Sequence, residues 1–173
     1  MIMIYMDVEK IKTRMPKSES SAGKFFSSCN RRRKFVNDTE GHHRNRIKKA
    51  KHDLARAEVE FADMCWDWTI VKAYYAIHHA GNALLSRKKG VFSKDHSCLI
   101  VALGHWKLIE PEFFRELSEI NERFSDTFSM DITFQLRKIS QYNVDEWENL
   151  SREDARLVLD VAKRFVRFVE AQL

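Results

Sequence analysis

Five glycines and two prolines in 173 residues are too few turn-formers for an all-β fold. The same scarcity excludes the usual phosphate cradles, since neither GxxxxGK[ST] nor GxGxxG occurs. Cysteines stand only at 29, 65 and 98, an odd number with no CxxC pair, so neither a disulfide framework nor a cysteine-rich zinc site is indicated. A reducing cytoplasm is the expected location. Long apolar runs are also missing: the opening "MIMIYM" breaks at Asp7 and Glu9, far short of a membrane span and without the basic start of a signal peptide. No membrane partner is expected, and Met3 and Met6 leave the start codon open.

What remains is a chain that is 44% apolar, with twelve Phe and four Trp, long enough for one domain with a real core. Its net charge of +5 is compatible with a nucleic-acid or nucleotide partner, and solubility explains it equally well. Residues 1–43 carry "KSESSAG", "SSCNRRRKF" and "NDTEG", polar and without sustained period; they read as a loosely ordered basic, Ser-rich arm with room for a short helix at 23–33. A helical domain over 44–173 follows. Ile47, Ala50, Leu54, Ala57, Phe61 and Met64 alternate spacings of three and four, the seam of a first helix over 44–64. After the short "CWDW", "WTIVKAYYAIHHAGNALLSRKKG" is a second helix antiparallel to the first, ended by basic residues and Gly90. Further helices are expected at 96–108, from Pro111 through Ile139, either as one long helix or bent near 129–131, and after a "SRED" capping box at 151–154, with Val158, Ala162, Phe165 and Val169 inward. No strand is needed. The fold expected is an all-α antiparallel bundle of four to five helices.

Neighbouring His78 and His79 diverge on that second helix: His78 falls within the apolar half, His79 opposite it near Lys72 and Ser86. They cannot chelate together as an i, i+4 pair would, and neither a metal nor a cofactor is expected. "RRRK" at 31–34 and "HHRNRIKKAK" at 42–51 make the N-terminal third the most basic part; they read first as a solvated face balanced by Asp53, Glu58 and Glu60, and alternatively as contacts to a nucleic-acid backbone. In "QLRKISQYNVDEW", Arg137 and Tyr142 come at the end of a helix beside a loop. A guanidinium there can hold a phosphate or pair with a carboxylate such as Asp126 or Asp145.

The segment "AYYAIHHAGNALL" at 73–85, then "KDHS" at 94–97, "LRKISQYN" and an acid-capped last helix together resemble the HEPN (higher eukaryote and prokaryote nucleotide-binding) superfamily, in particular its small stand-alone prokaryotic branch, over residues 44–172. The resemblance implies a five-helix antiparallel bundle that forms homodimers. It also implies toxin or defence proteins, many of them metal-independent ribonucleases with an R-x4-6-H motif, others paired with a minimal nucleotidyltransferase as antitoxin. Aligned with the branch's "YYAxFHAA", His79 takes the family histidine position and His78 stands where the family has Phe. His96, at the start of the third helix, is a further proton carrier or phosphate ligand. The motif histidine itself is replaced: five residues after Arg137 stands Tyr142, whose phenol is a poor base at neutral pH.

The expected function is therefore an RNA- or nucleotide-binding HEPN dimer, the toxin-like half of a pair with a nucleotidyltransferase, with Arg137, Tyr142, His79 and His96 as site residues. The alternative is a non-catalytic protein-interaction module. In a third reading, Tyr142 is a site that the partner enzyme modifies with a nucleotide.

Overall fold

A computed structural model describes residues 15–128 and 147–173. Its long helices follow the apolar periodicity. Helix α2, His43–Ala62, buries Ala50 and Ala57 and half-buries Ile47, Leu54 and Phe61. Met64, at φ 58, makes the reversal, and α3 runs over Trp66–Lys89, taking in most of the "CWDW" expected as a linker. Gly90, left-handed at φ 66, caps its C-terminus through its N–H to the carbonyl of Ser86. Helix α4 is His96–His105, with the Asp95 carboxylate accepting from the Cys98 N–H. Helix α5, Pro111–Phe128, opens on proline. The last helix, α6, Arg152–Gln172, begins with a full capping box between Ser151 and Asp154 and buries Val158, Ala162, Phe165 and Val169, the inward face expected. The protein is an all-α bundle.

Helix α3 is the central element. It buries not half but nearly all of its circumference, Ala76, Asn82, Ala83 and Ser86 included, because α2, α4, α5 and α6 all pack on it. Small residues set the closest approaches. A Cβ at Gly81 would lie 3.1 Å from Leu99, and one at Gly104 would lie 2.5 Å from Cε2 of Phe114 in α5.

Three expectations are corrected N-terminal to α2. Residues 15–43, expected as a loose arm with room for a short helix at 23–33, form that helix as α1 at Ala22–Arg31 and are otherwise more ordered than expected, with a 3-10 turn at Glu19–Ser21 and strand β1 at Phe35–Asn37. Secondly, a strand pair exists where none was needed: β1 pairs antiparallel with β2, Val91–Ser93, in the register Phe35 with Ser93 and Asn37 with Val91. Thirdly, Cys29 of α1 and Cys98 of α4 form a disulfide, their Cα atoms 5.7 Å apart, leaving Cys65 as the free thiol. The reason for all three is tertiary. Helix α1 covers a face of α4, and the rings of Phe26 and His105 stack at 4.3 Å with Trp106 edge-on to Phe26. That cover explains why α4 buries Cys98, Ile100 and Val101 beyond the Leu99, Ala102 and Leu103 stripe.

Candidate functional site

Polar and aromatic side chains gather where α2, α3 and the first turn of α4 meet. Tyr74 and His78, one turn apart on α3, both lie against His96: the Tyr74 ring stacks on it at 4.9 Å and the His78 ring at 4.3 Å. Tyr75 meets His96 edge-on at 6.1 Å. The Tyr74 hydroxyl donates to Asn121 of α5 at 3.0 Å, and the Asn121 amide donates to Ser97 of α4 at 3.0 Å, so three helices are fixed together around the rings. Full burial raises the Tyr74 phenol well above its usual range, which keeps it a neutral donor.

His79 points the other way, toward α2. Its Nε2 lies 3.6 Å from Oδ2 of Asp53, an ion-pair separation longer than a hydrogen bond. Asp53 is 8% exposed; Lys49 pairs with its Oδ1, and His52 Nδ1 stands 3.4 Å from the same oxygen. Burial is the largest influence on His79 and lowers its pKa; Asp53 opposes it, Lys49 and Arg46 add to it, and the net result is a lowered value. His79 is therefore a neutral imidazole at neutral pH, partly open to solvent and backed by a carboxylate, the state a general base requires.

His78 is held more tightly. Its Nε2 meets the Asn82 amide at 3.2 Å, while its Nδ1 is enclosed without a hydrogen-bond partner among the described residues. Desolvation, followed by the neighbouring His96, His79 and Arg46, lowers its pKa well below the ordinary 6.5. The ring thus fills the place of a phenylalanine and stays uncharged. A stability consequence follows with a definite sign. As pH falls through 6.5, the unfolded chain takes up a proton that folded His78 refuses, so stability is full above that pH and declines below it, at up to about 1.4 kcal/mol per pH unit for this one group. His79 adds in the same direction. His78→Phe is expected to flatten most of the fall in urea midpoint between about pH 7 and pH 5.5; an unchanged slope would show that His78 titrates normally.

Of the residues expected at the site, His79 and His96 border the same cluster without touching: His96 packs on His78, and His79 on Asp53. Arg137 and Tyr142 lie outside the described residues. Two contributors were missed from sequence. Asp53 looked like one acid of a solvated face, although it is four residues from Lys49 and buried beneath His79. Asn82, within "AGNALL", is 1% exposed and holds both backbone polar groups of Ser93. Among the described residues no group of three or more His, Cys, Asp or Glu could hold a metal ion.

Fold and cluster together define a helical-bundle protein carrying imidazoles in contrasting environments on its central helix. The model of the HEPN domain matches residues 43–172, and the protein belongs to the HEPN family. Among solved structures, the crystal structure of TT1696 from Thermus thermophilus is similar, with a TM-score of 0.53 at 19% identity over 77% of this chain and 99% of that one. At that identity the likeness concerns the fold alone. No curated protein matches the sequence. Family membership supports nucleotide or RNA binding, or ribonuclease-like activity, at the level of the family. No helix among the described residues is long and apolar enough to cross a membrane.

Proposed function

We propose that the protein binds RNA or a nucleotide as a homodimer and acts as the toxin-like, ribonuclease-like half of a pair with a minimal nucleotidyltransferase. The observation that carries this reading is His79: neutral, partly exposed, and backed by buried Asp53 beside Lys49. In the proposed cleavage His79 takes the proton of a ribose 2′-hydroxyl, and the 2′-oxygen bonds to phosphorus as the bond to the 5′-oxygen breaks. The leaving 5′-oxygen takes a proton from His96 or Tyr142, giving a 2′,3′-cyclic phosphate and a 5′-hydroxyl. Arg137 is the proposed phosphate ligand. A cytoplasmic location belongs to the same proposal, although the Cys29–Cys98 bond weighs against a permanently reducing surrounding.

A second reading, a non-catalytic interaction module, is favoured by the α2–α3 turn, where Met64 is 72% and Trp68 49% exposed. Cleavage of a mixed labelled RNA pool in EDTA separates the two. The expected result is metal-independent cutting that His79→Ala and Arg137→Ala each slow by about 100-fold or more. No cutting by the wild-type protein, beside a control ribonuclease that does cut, would move the assignment to the interaction module.

A further inference from the structure

Three basic stretches that are far apart in sequence meet at one end of the bundle. Antiparallel α2 and α3 bring the start of one beside the finish of the other, and the Asp38 N–H donates to the Gly90 carbonyl at 2.7 Å. The antiparallel β1–β2 pair then sets "RRRK" at 31–34 beside Lys94, whose N–H reaches the Lys34 carbonyl at 3.4 Å, and sets "RKKG" at 87–90 beside Asp38 at the other end of the three-residue ladder. Residues 31–46 and 87–95 hold ten Lys and Arg against three Asp and Glu, a net +7, more than the +5 of the whole chain. The opposite end, around the α2–α3 turn, is mixed: Glu58, Glu60, Asp63 and Asp67 stand there among Arg56, Lys72, Arg152, Arg156 and Lys163.

Two of the three carboxylates at the basic end are already engaged, buried Asp38 by Arg46 at 3.0 Å and His42 at 2.5 Å, and Asp95 by Lys34 at 3.6 Å; exposed Glu40 is the third. Among the described residues Arg31, Arg33, Arg44, Arg87, Lys88 and Lys94 are all exposed and make no ion pair. Six like charges on neighbouring segments, with Glu40 as the one carboxylate there not already engaged, cost self-repulsion, which a polyanion would relieve. They are spread over three segments on an open surface, so they fit a repeating phosphate backbone and not the single phosphate group of a mononucleotide. Arg46, stacked 4.2 Å over the half-buried Phe92 ring, adds a flat cationic platform of the kind on which bases stack.

We infer that this basic end is a binding surface for a single-stranded RNA backbone, built jointly by the HEPN domain and by a segment N-terminal to it. The inference rests on the RNA-binding reading and deepens it, making the ligand a strand of several phosphates. Arg31 and Arg33 lie outside the matched 43–172, so the domain alone would have only part of the surface.

The test is fluorescence anisotropy of the full chain with a labelled 2′-O-methyl RNA of about 20 nucleotides, a strand that cannot be cleaved through its 2′ position, in salt from about 50 to 200 mM. Arg31→Ala/Arg33→Ala/Arg87→Ala/Lys88→Ala is expected to bind at least about 10-fold more weakly. Its plot of log affinity against log salt should be shallower by about 2 to 3, from about 0.7 per lost phosphate contact. Arg31→Lys/Arg33→Lys/Arg87→Lys, with Lys88 kept, should retain most of the affinity. Arg115→Ala/Arg167→Ala, exposed on α5 and α6, should bind as wild type, and AMP should not compete. Retention of wild-type affinity by the quadruple variant, with its thermal midpoint intact, overturns the surface and leaves the RNA-binding reading standing. Competition by polyglutamate or by anionic vesicles as strong as by RNA also overturns it, in favour of a different acidic partner. Failure of the wild-type chain to bind RNA or any nucleotide overturns both.

Discussion

Asn82→Ala is expected to destabilise the protein by about 3 kcal/mol, which lowers the thermal midpoint by roughly 6–12 °C for a chain of this size. The magnitude comes from what the amide holds. Asn82 Oδ1 accepts the Ser93 N–H at 2.7 Å, and its Nδ2 donates to the Ser93 carbonyl at 2.9 Å and meets His78 Nε2 at 3.2 Å. Ser93 is 0% exposed, so alanine would leave an N–H and a carbonyl buried without partners, at about 1–3 kcal/mol each before any relaxation. The damage should reach function as well as stability. Ser93 ends β2, its hydroxyl accepts from the Asp95 N–H at 3.2 Å, and Asp95 caps the helix that presents His96. Loosening Ser93 therefore loosens the bed on which His78 and His96 stack. Hydrogen exchange should show the Ser93 amide losing its protection while amides in the middle of α6 keep theirs. A loss below about 1 kcal/mol, with Ser93 still protected, would mean that other groups or water replace the amide.

Legibility in the sequence divided along the line between periodicity and pairing. The bundle could be read because Ala50, Ala57, Leu84, Val158 and Phe165 recur at helical spacing and because Gly90, Pro111 and "SRED" punctuate the helices, all signals carried within about one turn of chain. The same geometry separated His78 from His79, and the structure encloses Nδ1 of one and leaves the other partly open beside Asp53. What escaped depends on residues far apart. Phe35 and Val91 belong to runs of only three residues, too short to show an alternation, and each becomes a strand only because the other lies beside it. Asn82 looks like a polar interruption in an apolar helix until Ser93 is placed against it. Likewise, "RKK" at 87–89 served as a helix C-terminal signal, and nothing local showed that it shares a surface with "RRRK".

Cysteine content misled for the same reason, and the second large effect follows from it. Reducing the Cys29–Cys98 bond, or replacing both residues by serine, is expected to cost about 2–4 kcal/mol. The bond joins positions 69 residues apart, and a loop of that length restricts the unfolded chain by about 4 kcal/mol in the chain-entropy account. The native state already holds the two ends together in other ways: through β1 and β2, through Phe26 against His105 and Trp106, and through the Met15 N–H on Glu122 at 2.7 Å. Reduction should therefore weaken the attachment of α1 first, since the HEPN bundle keeps its own core in α2, α3, α5 and α6. Arg32, whose guanidinium lies 3.8 Å from Cys29 Sγ and 3.7 Å from Cys98 Sγ, would then face two thiols. Urea unfolding with and without dithiothreitol gives the magnitude, and hydrogen exchange over 22–37 gives the place. If the denatured, unreduced protein takes up three alkyl groups instead of one, the bond does not form and the account fails. If one group is taken up and reduction leaves the midpoint unchanged, the strand pair and the aromatic cluster suffice to hold the N-terminal segment in place.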